Sequence, residues 1–217
     1  GGTLSGTGST GITNTCAIEI SSSSQLAGRI TNSGTVLVSG TGKALFTGSF
    51  DNRGLWEFTG DGGLTQNGNG QFVNEGTIRK SSGTGTSLWS GDLDNQGGTL
   101  AATSGTLRLD TSSVWTEGGT LNATTGAAIV LAGYSQSCCS TFRLAGRFTG
   151  SGAGTVTLGA ATTMNAWDNS GATLDFPTGY FRLDGGTLSG TGSTGITNTG
   201  AIEISSSSQL AGRITNS

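Results

Sequence analysis

The chain has 217 residues, of which 41 are glycine and one is proline; 32% are hydrophobic, 11% are charged, and the net charge is −3 with no histidine. No basic run exceeds Arg79-Lys80, which argues against a nucleic-acid partner, because phosphate neutralisation needs a positive stripe. No apolar stretch is long enough for a helical membrane span, and Cys16, Cys138 and Cys139 form neither a metal-ligand pattern nor a disulfide framework, so no metal or cofactor is expected.

Glycine, serine and threonine make up about half the chain, a bias that often accompanies disorder. Disordered chains usually also carry high charge or many prolines, whereas here the charge is low and the apolar residues recur in register. Short strands joined by tight turns suit this composition better.

From the N-terminus, the pattern is punctuated by triplets with a preceding apolar residue: "ITNTC", "ITNSG", "FDNRG", "FVNEG" and "LDNQG". Their asparagines, Asn14, Asn32, Asn52, Asn74 and Asn95, recur at nearly constant intervals. A degenerate "VWTEGG" follows from Val114, then "WDNSG" and a second "ITNTG". Periods of about 20 to 50 residues, a range whose lower end these intervals match, point to solenoids, propellers or arrays. After the first four triplets come "AIEI", "TVLV", "LWEF" and "TIRK". Alternation of period two puts Ile18, Ile20, Val36, Val38, Trp56 and Phe58 on one side, and Glu19, Leu37, Glu57 and Arg79 on the other. Another apolar piece precedes each triplet, so one period holds two or three short strands between glycine corners. Such a coil cannot bury its inner side chains alone, but copies stacked about 4.8 Å apart share a core. The expected fold is an all-β, right-handed parallel β-helix (β-solenoid), with handedness following the crossover preference. A propeller blade would need about twice the period.

The asparagines can serve as simple turn residues or as a ladder of stacked amides, and both readings stand at this level. The glycine two residues on is expected to supply a positive φ. Arg53 and Glu75 share one slot of consecutive coils, and Glu57 and Arg79 share another, which predicts two opposite-charge pairs on the outer face.

Further along, "GGTLNATTGAAIVLAGYSQSCCSTFRLAGRFT" is markedly longer than the preceding coil, with the surplus around Tyr134–Thr141. Its adjacent Cys138 and Cys139, like Cys16, are candidates for a disulfide or a cross-link to a neighbour; the plainer reading is small buried residues. In the stretch containing Phe176, Tyr180 and Phe181, the alternation of "YFRLD" favours core packing over an exposed strip.

Gly1–Ser33 matches Gly185–Ser217 throughout, except that Gly200 replaces Cys16. This predicts that residues 1–184 form one higher-order unit of eight or nine coils, rising roughly 38 to 43 Å, that residues 185–217 begin the next, and that the sequence is a window on a longer tandem array.

"GTLSGTG", "NSGTVLVSG" and "FRLAGRF" resemble the passenger β-helices of bacterial surface proteins, the autotransporter and filamentous-haemagglutinin class of adhesins. The resemblance is compositional and periodic over nearly the whole chain and carries over no binding residue. It implies secretion, an extracellular or cell-surface location, and a rod whose partners are other copies of itself, with surface glycans or matrix as further candidates. Polysaccharide-binding and polysaccharide-cleaving β-helices are the competing class. Cleavage needs clustered carboxylates with Arg or Lys; the 13 acids are scattered, Asp92 with Asp94 being the closest pair, so no enzyme activity is expected. An ice-binding face would need a regular Thr-x-Thr ladder, and the "TVT" of Thr155–Thr157 is isolated.

Overall fold

The structure is a computed structural model and describes residues 1–133, 140–167 and 169–217. The chain winds as an all-β parallel solenoid of about 22 residues per turn. Each turn lays one strand segment on each of three faces, and nine windings separate ten stacked rungs; the third face is the 10-stranded sheet. The other two faces merge into one 18-stranded sheet, because Ser24–Asn32 and Lys43–Asn52 run unbroken around the corner between them. Gly28 makes that corner: its φ is 74°, and a Cβ there would stand 1.9 Å from the Gly6 carbonyl oxygen.

The period-two pattern becomes inward-facing columns. On the third face Ile18, Val36, Trp56, Ile78, Leu100 and Leu121 stack one over another. On the second, Ile30, Phe50, Phe72 and Leu93 do the same. On the first, Ala44, Leu64, Trp89, Leu109, Leu131, Leu158 and Leu183 follow in register. All but Ile18 are buried. Burial of such side chains is worth about 1.5 to 3 kcal/mol each, and every rung supplies the lid of its neighbour. Aromatic rings thicken the core in its first half, where Phe50 and Phe72 stack at 4.7 Å and Trp89 meets Phe72 edge-on at 4.6 Å.

The second half of the core is filled differently. Gly150 occupies the inward slot after Leu121, and the rings of Phe176 and Tyr180, from a later corner, take the vacated space: a Cβ on Gly150 would lie 2.6 Å from Tyr180 and 3.1 Å from Phe176. Both rings are buried with Phe181. The Tyr180 hydroxyl accepts from the Ala123 N–H at 2.5 Å and donates to the carbonyl of Leu121 or Ser151, at 2.7 and 2.8 Å. Desolvation of the ring raises its pKa above the ordinary tyrosine value.

The surplus residues fall between Ala128–Ala132 on the first face and Ser140–Leu144 on the second. Across that corner the stacked partners Val114 and Arg143 are separated by a longer stretch of chain than Asn32 and Asn52 are. Cys138 and Cys139 lie outside the described residues. Among the described residues no helix is long and apolar enough to cross a membrane.

Candidate functional surfaces

The five asparagines form one continuous amide ladder inside the corner between the second and third faces. Asn14 donates through Nδ2 to Asn32 Oδ1, Asn32 to Asn52 and Asn52 to Asn74, each at 2.7 Å, and Asn74 to Asn95 at 2.6 Å. Nδ2 also donates to a carbonyl: Thr35 for Asn14, Leu55 for Asn32, Thr77 for Asn52 and Gly98 for Asn95, at 3.1 to 3.2 Å. A buried amide with all its groups paired rigidifies the turn, whereas one left half-paired would weaken it. The ladder ends at Trp115, which takes the next place in the column.

The later triplets are not part of this ladder. Asn169 is exposed and accepts from Ser193. Asn198 lies on the third face above Leu174; with an apolar residue beneath it, its Oδ1 has no donor.

At Gly34, Gly54, Gly76 and Gly200 the triplet glycine acts through space and not through backbone angle, contrary to the expected positive φ, whereas Gly97 and Gly171 have it, at 69° and 72°. Gly34, Gly54 and Gly76 do not have positive φ; among the ladder triplets only Gly97 does. A Cβ at Gly34, Gly54 or Gly76 would lie 2.3, 2.1 or 2.3 Å from the carbonyl oxygen of Cys16, Gly34 or Gly54 on the preceding rung. That oxygen accepts the N–H of the residue after the glycine, as from Thr35 to Cys16 at 2.8 Å, so the rungs cannot separate to admit a side chain. Gly200 is in the same position, 2.3 Å from the Phe176 oxygen. Cys16 occupies that slot on the first rung, where it is exposed and free.

The predicted charges are brought together on the outer surface. Arg53 Nε lies 3.5 Å from Glu75 Oε2, and Arg79 bonds Glu57 Oε1 at 2.8 Å. Exposed pairs of this kind contribute about 0.2 to 1 kcal/mol; Glu57 is largely covered.

Lys80 is a residue the pattern reading passed over. It stands at the inward parity, two residues after Ile78, and is fully buried. Its ammonium turns into the corner and donates to the Gly60 and Ser82 carbonyls and to Asp61 Oδ1, at 2.8, 2.9 and 2.8 Å. That accounts for its three protons. Asp61 also accepts from the Gly85 N–H, and the hydrogen bond from Lys80 holds its carboxyl below the ordinary range. A lysine at core parity was the available signal; its acidic partner on the previous turn was not visible.

The outer side of the second face carries a groove of about 680 Å³ that crosses several rungs. Asp94 and Arg143 share its central column with Val114 between them. At one end the Arg143 guanidinium lies over the Trp167 ring, 4.9 Å from its centre. Asp92 belongs to the same groove. Among the described residues no group of three or more His, Cys, Asp or Glu side chains is placed to hold a metal.

Fold and surface together define a tandem-repeat parallel β-solenoid, tied by an internal amide ladder and bearing a groove lined by both charged and apolar side chains. No protein family, no curated protein and no solved structure matches the chain.

Proposed function

We propose that this protein is a segment of an extracellular fibre or adhesin built from tandem solenoid units, in which length and stiffness are the function. The observation that supports this most is the seam between the two units: Ala201 N–H donates to the Phe176 carbonyl at 2.8 Å, and Arg182 pairs with Glu203 at 2.9 Å, so the start of the second unit stacks directly on the last turn of the first. A stack that accepts its own sequence again has no intrinsic stopping point, and rod length follows unit number. In this reading the winding is right-handed, the location is the cell surface, and the partners are other units along the rod, with glycans or matrix at its sides. Catalysis is not part of the proposal: Asp92 and Asp94 share the groove with Arg143, but Val114 stands between Asp94 and Arg143 in the column.

The groove favours a second reading, side-on binding of a polysaccharide by Trp167, Asp92 and Asp94. Electron microscopy of the native material tests the first: an unbranched rod advancing about 4.8 Å per turn is expected, and compact particles would refute it. Glycan-array binding lost on Trp167→Ala, with the rod intact, would establish the second.

A further inference from the structure

The two copies of the repeated sequence lie on different faces of the solenoid. Thr3–Gly6 is on the first face, whereas its counterpart Thr187–Gly190 is on the second, in the column Ser113, Phe142, Met164, Leu188. Ile12–Asn14 is on the second face, and Ile196–Asn198 is on the third, above Ala172–Asp175. Ala17–Ile20 is on the third face, and Ile202–Ser205 is on the first, above Phe181–Asp184. Every strand of the block has therefore moved up the stack by eight full turns and then one face further. With three faces to a turn, the offset between the copies amounts to eight and one third turns.

Local pairing is unaffected by the move. Leu4 pairs with Leu26 and Gly6 with Gly28, as Leu188 pairs with Leu210 and Gly190 with Gly212. Asn14 bonds Asn32 and Asn198 bonds Asn216, both at 2.7 Å. The physical reason is that each face obeys the same rules, alternate residues inward and small residues at corners, so nothing ties a block to one face. The seam leaves Asn198 Oδ1 as an orphan acceptor, and it is closed by the Arg182–Glu203 pair and by glycine at position 200.

We propose that tandem units of this protein wind as a threefold screw. Each unit is turned by a third of a revolution relative to the last over about 40 Å, and the surface pattern returns after three units, about 120 Å. The groove formed by Asp94, Arg143 and Trp167 then appears on the second, third and first faces in succession. A fibre built this way offers its contact surface on all three sides, in a spiral, and not as a single adhesive stripe. The fibre-scale part rests on the rod reading above; the rotation itself is tested within one chain.

Two double-cysteine variants of the full chain, with the native cysteines changed to serine and folding checked by circular dichroism, decide the rotation. Thr173→Cys with Thr197→Cys places thiols on paired residues of adjacent rungs and is expected to form a disulfide under mild oxidation. Asn165→Cys with Thr197→Cys is the pair that would close if the block had returned to its original face, and it is expected to stay reduced. Cross-linking of the second pair and not the first would overturn the proposal. Helical reconstruction of the native fibre is expected to show one third of a turn between successive units. Units related by pure translation would overturn the screw but leave the rod, while absence of a fibre would refute the rod and leave the cross-linking result standing.

Discussion

Replacing Asn52 by alanine removes the middle of the ladder, and the loss can be worked from the contacts. Asn52 is fully buried; it accepts from Asn32 at 2.7 Å and donates to Asn74 Oδ1 and to the Thr77 carbonyl. Alanine leaves Asn74 Oδ1 without a donor, and a buried unpaired acceptor costs about 1 to 3 kcal/mol. Asn32 keeps its bond to Leu55 but loses its best acceptor. With about 1 kcal/mol for each of the three lost hydrogen bonds, the total is about 4 to 6 kcal/mol. Asn198→Ala is the matched control. Its oxygen is already unpaired, and its donor serves Gly200 and the exposed Asn216, which water can satisfy instead. That loss should be about 1 kcal/mol or less. Urea unfolding followed by circular dichroism measures both, and a difference below about 0.5 kcal/mol would refute the ladder as a source of stability.

Gly200→Cys should lower the melting temperature, because its Cβ meets the Phe176 oxygen, whereas Cys16→Gly should leave it unchanged; equal effects would contradict the steric account of the triplet glycines. Tyr180→Phe strands the Ala123 N–H and should cost about 2 to 4 kcal/mol. Because the folded pKa of Tyr180 is raised, its contribution is complete below the unfolded value near 10 and is lost as pH rises through the folded value; an alkaline titration of wild type against the phenylalanine variant reads this. Asp61 and Asp175 have lowered pKa values, held down chiefly by hydrogen bonds from Lys80 and Arg147. Their contribution is present above the unfolded value and fades as pH falls through the folded ones, so Asp61→Asn should flatten the acid limb of a stability profile and leave the neutral region less stable. Asp61→Ala should destabilise more than Lys80→Met, which removes the buried charge together with its need for a partner.

Much of the architecture could be read from local pattern, since a solenoid repeats one short set of rules. Period-two alternation placed Val36, Val38, Trp56 and Phe58 on the inner side, and the near-constant spacing of the asparagines placed Arg53 beside Glu75. These properties are short-range or follow directly from a fixed period. The triplet glycines show the limit: their pattern looks like a demand for backbone freedom, yet the restriction is a carbonyl of the rung below, a neighbour a whole turn away in the chain. Gly150 shows it again, since the space it leaves is filled by Tyr180 from the next turn.

The sequence by itself determined that the chain coils, roughly how often, and which residues line the coil, because strand parity and turn chemistry are written in adjacent letters. Only the tertiary structure decided on which face each segment comes to rest. Insertions at the corners change the residues per turn without changing the rules of any face, so the phase of the repeated block accumulates along the stack, and an identical stretch arrives one face over from where it began.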